Sequence, residues 1–279
     1  MPVTRELDPW SSPLAFLGAE VRRAREAAGL SQEQLGAKFG YSGDQVGKVE
    51  TGERTPSRKF AVGCDKVFPE WQGMFLRLYD FACAQGDGPS PTWFADWLEA
   101  ERRAVSIRWW EPLLIPGLLQ TPDYARAVLR VWPSIGESDV LEEMVSARLA
   151  RQTILDRPEP PSLGVLIDEP VLYRCIGSAK VMQDQLCHLG EMSHRPKVTI
   201  QILPGDLGAH VGLLGALAIA TFDDMTATVY MESPDEGHTT SDPAVVAKIS
   251  DTWDVLRSDA LPQRASRDLI SKAEARWTE

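Results

Sequence analysis

The sequence predicts a mainly α-helical N-terminal bundle of four or five helices, followed by a mixed α+β domain with a small sheet. Three observations carry this prediction. Between residues 14 and 83 apolar side chains recur at three- and four-residue spacing, punctuated by serine caps and glycine stops. The stretch AQGDGPSP, Ala84–Pro91, consists of turn formers and separates that region from the rest of the chain. Beyond it, short apolar runs alternate with helical patterns. A chain of 279 residues accommodates two domains. The expected divisions are a flexible tail over 1–13, a helical domain over 14–83, a linker over 84–90 and an α+β domain over 91–279.

Leu14, Leu17, Val21, Ala24 and Ala28 set a first helix that ends at Gly29, with Arg22, Arg23 and Arg25 on its other faces. Ser31 caps a second helix whose buried stripe is Leu35 and Phe39. Gly40 supplies the backbone freedom for a tight turn. Ser42 caps a third helix, which turns Val46 and Val49 inward and stops at Gly52, ahead of Pro56. Arg58–Phe68 reads as a fourth helix broken by Pro69, and Trp71, Phe75, Leu78, Tyr79 and Ala82 make a fifth. In the second domain, helices are expected over 91–104, from Pro122 onward behind a Thr121 cap, and over 137–155, 180–194, 243–256 and 262–277. Strands are expected over 104–112, 163–169, 197–204, 215–222 and 226–232, the last two as a hairpin through Asp223–Asp224.

Composition limits the classes of function. No apolar run approaches the ~18 residues of a membrane span. The N-terminus MPVTRELDPW lacks the basic region and apolar core of a secretion signal, so a cytoplasmic protein without membrane partners is expected. Cys64, Cys83, Cys175 and Cys187 are widely spaced and are expected to be small buried apolar side chains. Neither CxxC nor HxxxH spacing occurs around them, so no metal and no cofactor is expected. The net charge of −11 is unevenly placed: residues 1–68 hold ten Lys and Arg against nine Asp and Glu, whereas 69–279 hold nineteen against thirty-one. Non-specific attraction to phosphate is therefore weak, and any DNA affinity must come from a few placed contacts and from dimerisation.

Ser31–Gly52, SQEQLGAKFGYSGDQVGKVETG, has the caps, turn and stops of two short helices whose second can enter a major groove. The stretch resembles the phage-repressor-like (XRE) helix-turn-helix family, through Ser31-Gln32-Glu33-Gln34-Leu35-Gly36, Gly40-Tyr41-Ser42, Val46 and Glu50-Thr51-Gly52. The resemblance implies roles position by position. Gln32 would hydrogen-bond a phosphate, and Ser42 would cap the recognition helix and touch the backbone. Gly43, Asp44, Gln45 and Lys48 would occupy the base-reading places. Gln45 would pair with adenine and Lys48 would reach guanine or phosphate. Arg54 and Arg58 would contact phosphates, and Glu50 would brace the domain. Gly36 departs from the family's alanine, at a cost of up to about 1 kcal/mol in helix propensity. With Gly43 and Gly47 also in place, a flexible recognition helix is expected that tightens on DNA, so that Gly47→Ala would raise helicity and affinity.

The second domain carries PGLLQTPDYARAV (Pro116–Val128), RxxRQ (Arg148–Gln152), DEPVLYRCIG (Asp168–Gly177) and LRSDALPQRASRDLI (Leu256–Ile270). With the helix-turn-helix, these strings resemble the actinobacterial WhiJ-like, antitoxin-like regulators. That resemblance implies an antitoxin-like transcriptional regulator that binds a short protein encoded nearby. One such small module gives little specificity, so a homodimer on a near-palindromic double-stranded operator is expected, and no enzyme is expected. Two rivals stay open. One is a small-molecule-gated regulator, with the aromatic cluster Trp93, Trp97, Trp109 and Trp110 as a partner or effector groove and His210 at the rim of a ligand loop, Leu203–Gly215. The other is an enzyme using the Asp168–Glu169 pair. Against them stand core packing for the tryptophans, a surface loop for His210, and local capping or a bond to Arg174 for the carboxylates.

Overall fold

Four serines start the helices of the N-terminal region. In the computed structural model, which describes residues 9–10, 12–54, 56–84, 92–131, 138–233 and 237–277, α1 (Pro13–Ala27), α2 (Gln32–Ala37), α3 (Gly43–Glu50) and α4 (Arg58–Val67) each begin behind a serine Oγ that accepts a backbone N–H. These are Ser12, Ser31, Ser42 and Ser57. Ahead of α2 and α3 the bond is returned by Gln34 and Gln45, completing capping boxes. A 3-10 turn, Pro69–Trp71, leads to α5 (Met74–Ala84). Leu17, Val21, Leu35, Val46, Val49, Phe60 and Phe75 fill the core between them. The rings of Phe39, Tyr41 and Phe60 meet pairwise at 5.2–5.4 Å. Residues 1–8 and 11 of the expected tail and 85–90 of the expected linker lie outside the described residues.

A buried ion pair ties this bundle together. Glu50, at the end of α3, accepts from Arg25 Nε at 2.6 Å and Nη2 at 2.9 Å, and from Gln32 Nε2 at 2.9 Å. Arg25 Nη1 donates to the Leu30 carbonyl, so one guanidinium joins α1, the α1–α2 turn and α3. The Glu50 hydrogen bond holds the Arg25 guanidinium above its ordinary pKa, against the opposing effect of burial.

The glycines of α2 and α3 serve close packing, which corrects the expected flexible recognition helix. A Cβ on Gly36 would collide with the Tyr41 backbone carbonyl. The Gly36 carbonyl in turn accepts the amides of Gly40 and Tyr41, both at 2.9 Å. Gly43 lies against the Glu33 backbone, and a Cβ on Gly47 would stand 3.0 Å from Gln32 Oε1. Gly47→Ala therefore presses on the side chain that bonds Glu50, and the expected gain in helicity is opposed by that contact.

The remaining elements are α6 (Thr92–Arg103), β1 (Ser106–Glu111), α7 (Pro122–Leu129), α8 (Ser138–Gln152), β2 (Ser162–Asp168), α9 (Ala179–Met192), β3 (Val198–Leu203), β4 (Leu217–Thr221), β5 (Ala227–Met231), β6 (His238–Thr240), α10 (Pro243–Asp259) and α11 (Gln263–Arg276). One mixed sheet runs β3-β2-β1-β4-β5-β6, with β1, β2 and β3 parallel and the other neighbours antiparallel. The parallel half needs crossovers, supplied by α7–α8 and by α9. β4 and β5 form the expected hairpin, and β6 is a three-residue addition too short for a periodic signal. Alternation sends Ile107, Trp109, Val165, Ile167, Ile200 and Ile202 to one face and Trp110, Leu166 and Leu203 to the other, where Trp253 and Leu256 of α10 cover them. Cys64 is buried, but Cys175 and Cys187 are exposed, contrary to expectation. Cys187 falls on the outer side of α9, because Met182, Leu186, Leu189 and Met192 take the inner one.

Two compact units result, residues 1–92 with 129–144 and residues 93–128 with 145–279. The first half of α8 thus belongs with the helical bundle, although the turn formers at Ala84–Pro91 suggest that all of 91–279 holds together.

Two stability measurements check these assignments. Glu50→Ala strands the Arg25 charge and is expected to lower unfolding free energy in urea by about 3–5 kcal/mol, whereas Arg25→Met/Glu50→Leu costs far less. Gly36→Ala is expected to destabilise by about 1 kcal/mol or more despite alanine's better helix propensity, because the added methyl meets backbone.

Candidate nucleic-acid interface

The recognition helix is α3. Ser42, Asp44 and Lys48 are exposed on it, Gln45 is half-buried, and Gly43 is buried against Glu33. Gly43 thus packs the two helices rather than facing a base. Gln45 serves the helix end as well as the surface: its Oε1 accepts the Ser42 N–H at 2.6 Å, and Ser42 Oγ accepts the Gln45 N–H at 3.2 Å. A bidentate pair with adenine requires that same oxygen, so the capped side chain keeps only its NH2 to donate. Lys48 Nζ lies 2.7 Å from Asp44 Oδ2 one turn earlier. Exposed pairs of this kind are worth little, and Asp44 is also favoured by its place in the first turn. Lys48 can therefore exchange its carboxylate for a base edge or a phosphate at small cost.

Gln32, expected on phosphate, instead donates to Glu50 from the interior side of α2. Arg58 of α4 lies 3.7 Å from Asp80 of α5, with both side chains largely exposed. Arg54 follows α3 directly, its amide bonded to the Lys48 carbonyl and its guanidinium stacked 5.8 Å from the centre of the Tyr41 ring. The structure therefore gathers Ser42, Asp44, Gln45 and Lys48 on one helix face, encloses the Arg54 guanidinium nitrogens beside Tyr41, and engages Gln32 and Arg58 in other contacts.

Sequence reasoning missed an acidic clamp on this flank. Tyr41, in the turn before α3, shares its hydroxyl with Ser57 at 2.8 Å and donates to Asp139 of α8 at 2.7 Å. Lys59 Nζ bonds the same Asp139 oxygen at 3.0 Å, and Tyr79 donates to Glu143 at 2.9 Å. Burial opposes ionisation of Asp139, but the Tyr41 hydroxyl and the Lys59 ammonium outweigh it and hold the carboxyl below its ordinary range. Asp139 and Tyr41 are nearly a hundred residues apart in sequence, and no local pattern links them.

In the second unit Trp97, Trp109 and Trp110 are all buried. Trp97 meets Trp109 edge-on at 5.6 Å and packs 5.7 Å from Tyr230 on one face of the sheet, while Trp110 fills the core on the other. The expected partner groove at these three gives way to core packing, because β1 turns alternate residues into opposite cores. The side chain of Trp93 lies outside the described residues. His210 is half-buried beside Trp110, 5.6 Å away edge-on, and its Nδ1 accepts the Gly212 N–H at 3.2 Å. Trp110 Nε1 donates to the Gly212 carbonyl at 2.9 Å, anchoring this loop to the sheet. Asp168 closes β2 with its carboxyl raised by burial, opposed by His210. Glu169 accepts the Gly205 N–H at 2.9 Å, so the pair supports the ends of β2 and β3. Among the described residues no group of three or more His, Cys, Asp and Glu is placed to hold a metal.

The clamp has a pH signature. A carboxyl held below its ordinary pKa stabilises the fold above the unfolded value, near 3.8 for aspartate, and that contribution is lost as pH falls through the folded value. Asp139→Asn is expected to cost less than about 1 kcal/mol at neutral pH, with the two unfolding curves converging in acid.

Residues 17–68 match a family described as a helix-turn-helix domain, and residues 94–272 match one described as a domain of unknown function, DUF5753. No curated protein and no solved structure matches the chain. Among the described residues no helix is long and apolar enough to cross a membrane. The DUF5753 match covers more than half of the sequence, and the capped α2–α3 pair lies within the other match. The chain is a member of the DUF5753 family that carries a helix-turn-helix DNA-binding domain at its N-terminus.

Proposed function

We propose that this protein is a sequence-specific transcriptional regulator of the WhiJ-like, antitoxin-like kind, which binds a near-palindromic operator as a homodimer. The observation that carries the reading is α3: a doubly capped helix, braced from behind through Glu50, with Asp44, Gln45 and Lys48 on its outer side. One such module reads few base pairs, and two of them about one helical turn apart supply the specificity that the near-neutral N-terminal region lacks.

Regulation runs through the C-terminal domain, expected over 91–279, by way of a small partner protein. Leu207, Val211, Leu213 and Leu214 are each exposed in the segment between β3 and β4, with Leu214 93% accessible, and exposed apolar side chains at this density favour a protein partner. α8 supplies a route: Asp139 and Glu143 bond within the first unit, and Arg148 and Arg151 within the second. A small-molecule effector is the second reading, favoured by the buried carboxylate of Glu111 at the end of β1.

Fluorescence anisotropy of the full chain on its own upstream DNA, against a shuffled duplex, tests the proposal. Lys48→Ala is expected to weaken specific binding about tenfold with unfolding free energy unchanged to within about 0.5 kcal/mol. Gln45→Ala is expected to weaken binding and also to destabilise by about 0.3–1.5 kcal/mol, since it removes half of a capping box. Affinity should fall with salt and depend on protein concentration through dimerisation. Equal binding to both duplexes, or a strictly monomeric complex, would sink the operator-binding dimer.

A further inference from the structure

On the face of the sheet that α10 covers, the parallel strands change character along their length. Toward their ends Trp110, Leu166 and Leu203 are apolar and pack with Trp253 and Leu256 of α10. Nearer their starts, two-residue alternation puts Ser106 and Arg108 of β1, Ser162 and Gly164 of β2, and Thr199 of β3 on the same face. The register sets them side by side: Ser106 pairs with Ser162, Arg108 with Gly164, and Gly164 with Thr199. Gly164 brings no side chain to the centre of this row, and a Cβ placed there would stand 3.6 Å from the Trp253 ring. A cleft of about 260 Å³ opens at this point, with Arg108, Gly164, Trp253 and Arg257 among its walls and Lys197, just ahead of β3, at its side.

The charge of the cleft opposes that of the domain around it. Residues 69–279 hold nineteen Lys and Arg against thirty-one Asp and Glu, yet the cleft is lined by Arg108, Lys197 and Arg257 and, among the described residues, by no carboxylate. Lys197 Nζ donates to the Pro160 carbonyl at 3.0 Å, a neutral acceptor that leaves its charge uncompensated. Arg108 and Arg257 make no side-chain hydrogen bond and no ion pair among the described residues, and neither do the hydroxyls of Ser106 and Ser162. The polar groups beside them are by contrast engaged: Thr199 Oγ1 accepts from Gln263 Nε2 and Gln201 Nε2 donates to the Leu261 carbonyl, both at 2.9 Å. Arg108 is half-buried, and burial holds its guanidinium below the ordinary pKa, against the attraction of Asp254 and with the repulsion of Arg257. Asp254 does not itself line the cleft.

We propose that this cleft binds the phosphate group of a small phosphate monoester, its oxygens taken by the Arg108 and Arg257 guanidiniums and by the Ser106 and Ser162 hydroxyls. The lining selects that class. A phosphate monoester carries close to two negative charges at neutral pH and three acceptor oxygens, which answer two guanidiniums and two hydroxyls arriving from neighbouring strands and from α10. A carboxylate offers one charge and two coplanar oxygens and leaves part of that donor set unmatched. The volume suits a phosphate with a small organic group, which would lie against the Trp253 ring. The inference goes beyond the operator reading and does not rest on it, because the site lies wholly within the second unit.

Isothermal titration of the full chain, free of DNA, with inorganic phosphate, ribose 5-phosphate, glucose 6-phosphate and succinate tests the site. Saturable one-to-one binding of at least one phosphate compound is expected, with succinate at least about tenfold weaker. Tighter binding of an ester than of inorganic phosphate assigns a phosphorylated metabolite, and equal binding assigns free phosphate. Arg108→Gln and Arg257→Gln should each weaken the interaction at least about tenfold, whereas Arg264→Gln, which removes an exposed charge of the same unit outside the cleft, should leave it unchanged. Arg257 is exposed, so its variant keeps the test valid should Arg108→Gln fail to fold. No binding by the folded chain overturns the site, as does succinate binding equally well, or binding that neither cleft variant weakens. Loss of duplex binding in Arg108→Gln, with no small phosphate bound by the wild type, assigns these cations to the DNA backbone and also overturns it. A chain that binds a phosphate ester but not its upstream DNA keeps the site and loses the operator.

Discussion

Glu50 accepts three hydrogen bonds inside the helical bundle, two from Arg25 and one from Gln32. Its carboxylate is almost fully enclosed, and a buried charge is tolerable only when its partners are held in place. Those partners come from α1 and the start of α2, so the end of α3 is set relative to both. The outer face of α3 can be polar and weakly paired because its inner face is fixed in this way. The glycines follow from the same constraint. Gln32 reaches Glu50 by crossing Gly47, and α2 approaches α3 closely enough that Gly36 and Gly43 have no room for a side chain.

That arrangement divides the polar residues of the motif by function. Gln32 and Glu50 face inward and hold the helices, while Ser42 and Gln45 hold the first turn of α3. Lys48 and Asp44 remain for the surface, whereas the terminal nitrogens of Arg54 are enclosed. Fewer side chains are thus left on the outer side of α3 than the motif's length implies. The acidic N-terminal half of α8 lies on the same unit and engages Tyr41 and Lys59 beside the recognition helix. A change at Asp139 or Glu143 therefore acts within the unit that carries α3.

The second unit is organised by the reversal of strand direction next to β1. Its parallel half needs helical crossovers, and its antiparallel half closes by hairpins. The two faces of β1 feed separate cores, so Trp109 and Trp110, adjacent in sequence, lie on opposite sides of the sheet. Glu111 continues that alternation into an interior position, where its carboxylate accepts the Trp109 Nε1–H.

Local chemistry was legible in the sequence wherever a few neighbouring residues decide the outcome. Serine caps, glycine stops and three- to four-residue apolar spacing determined the five N-terminal helices. Alternation and turn formers determined the strands up to β5 and the β4–β5 hairpin. Contacts between distant residues belonged to the tertiary structure alone. Nothing near Asp139 points to Tyr41, nothing near Arg148 points to Gln120, and the packing role of Gly36 depends on where the Tyr41 carbonyl arrives. The same alternation that predicts a strand leaves open which core each tryptophan enters, because that depends on what covers each face. Hydrogen-bonded caps act over three or four residues and are written in the local sequence. The charge pairs and close approaches that define the candidate sites arise only once the chain has folded back on itself.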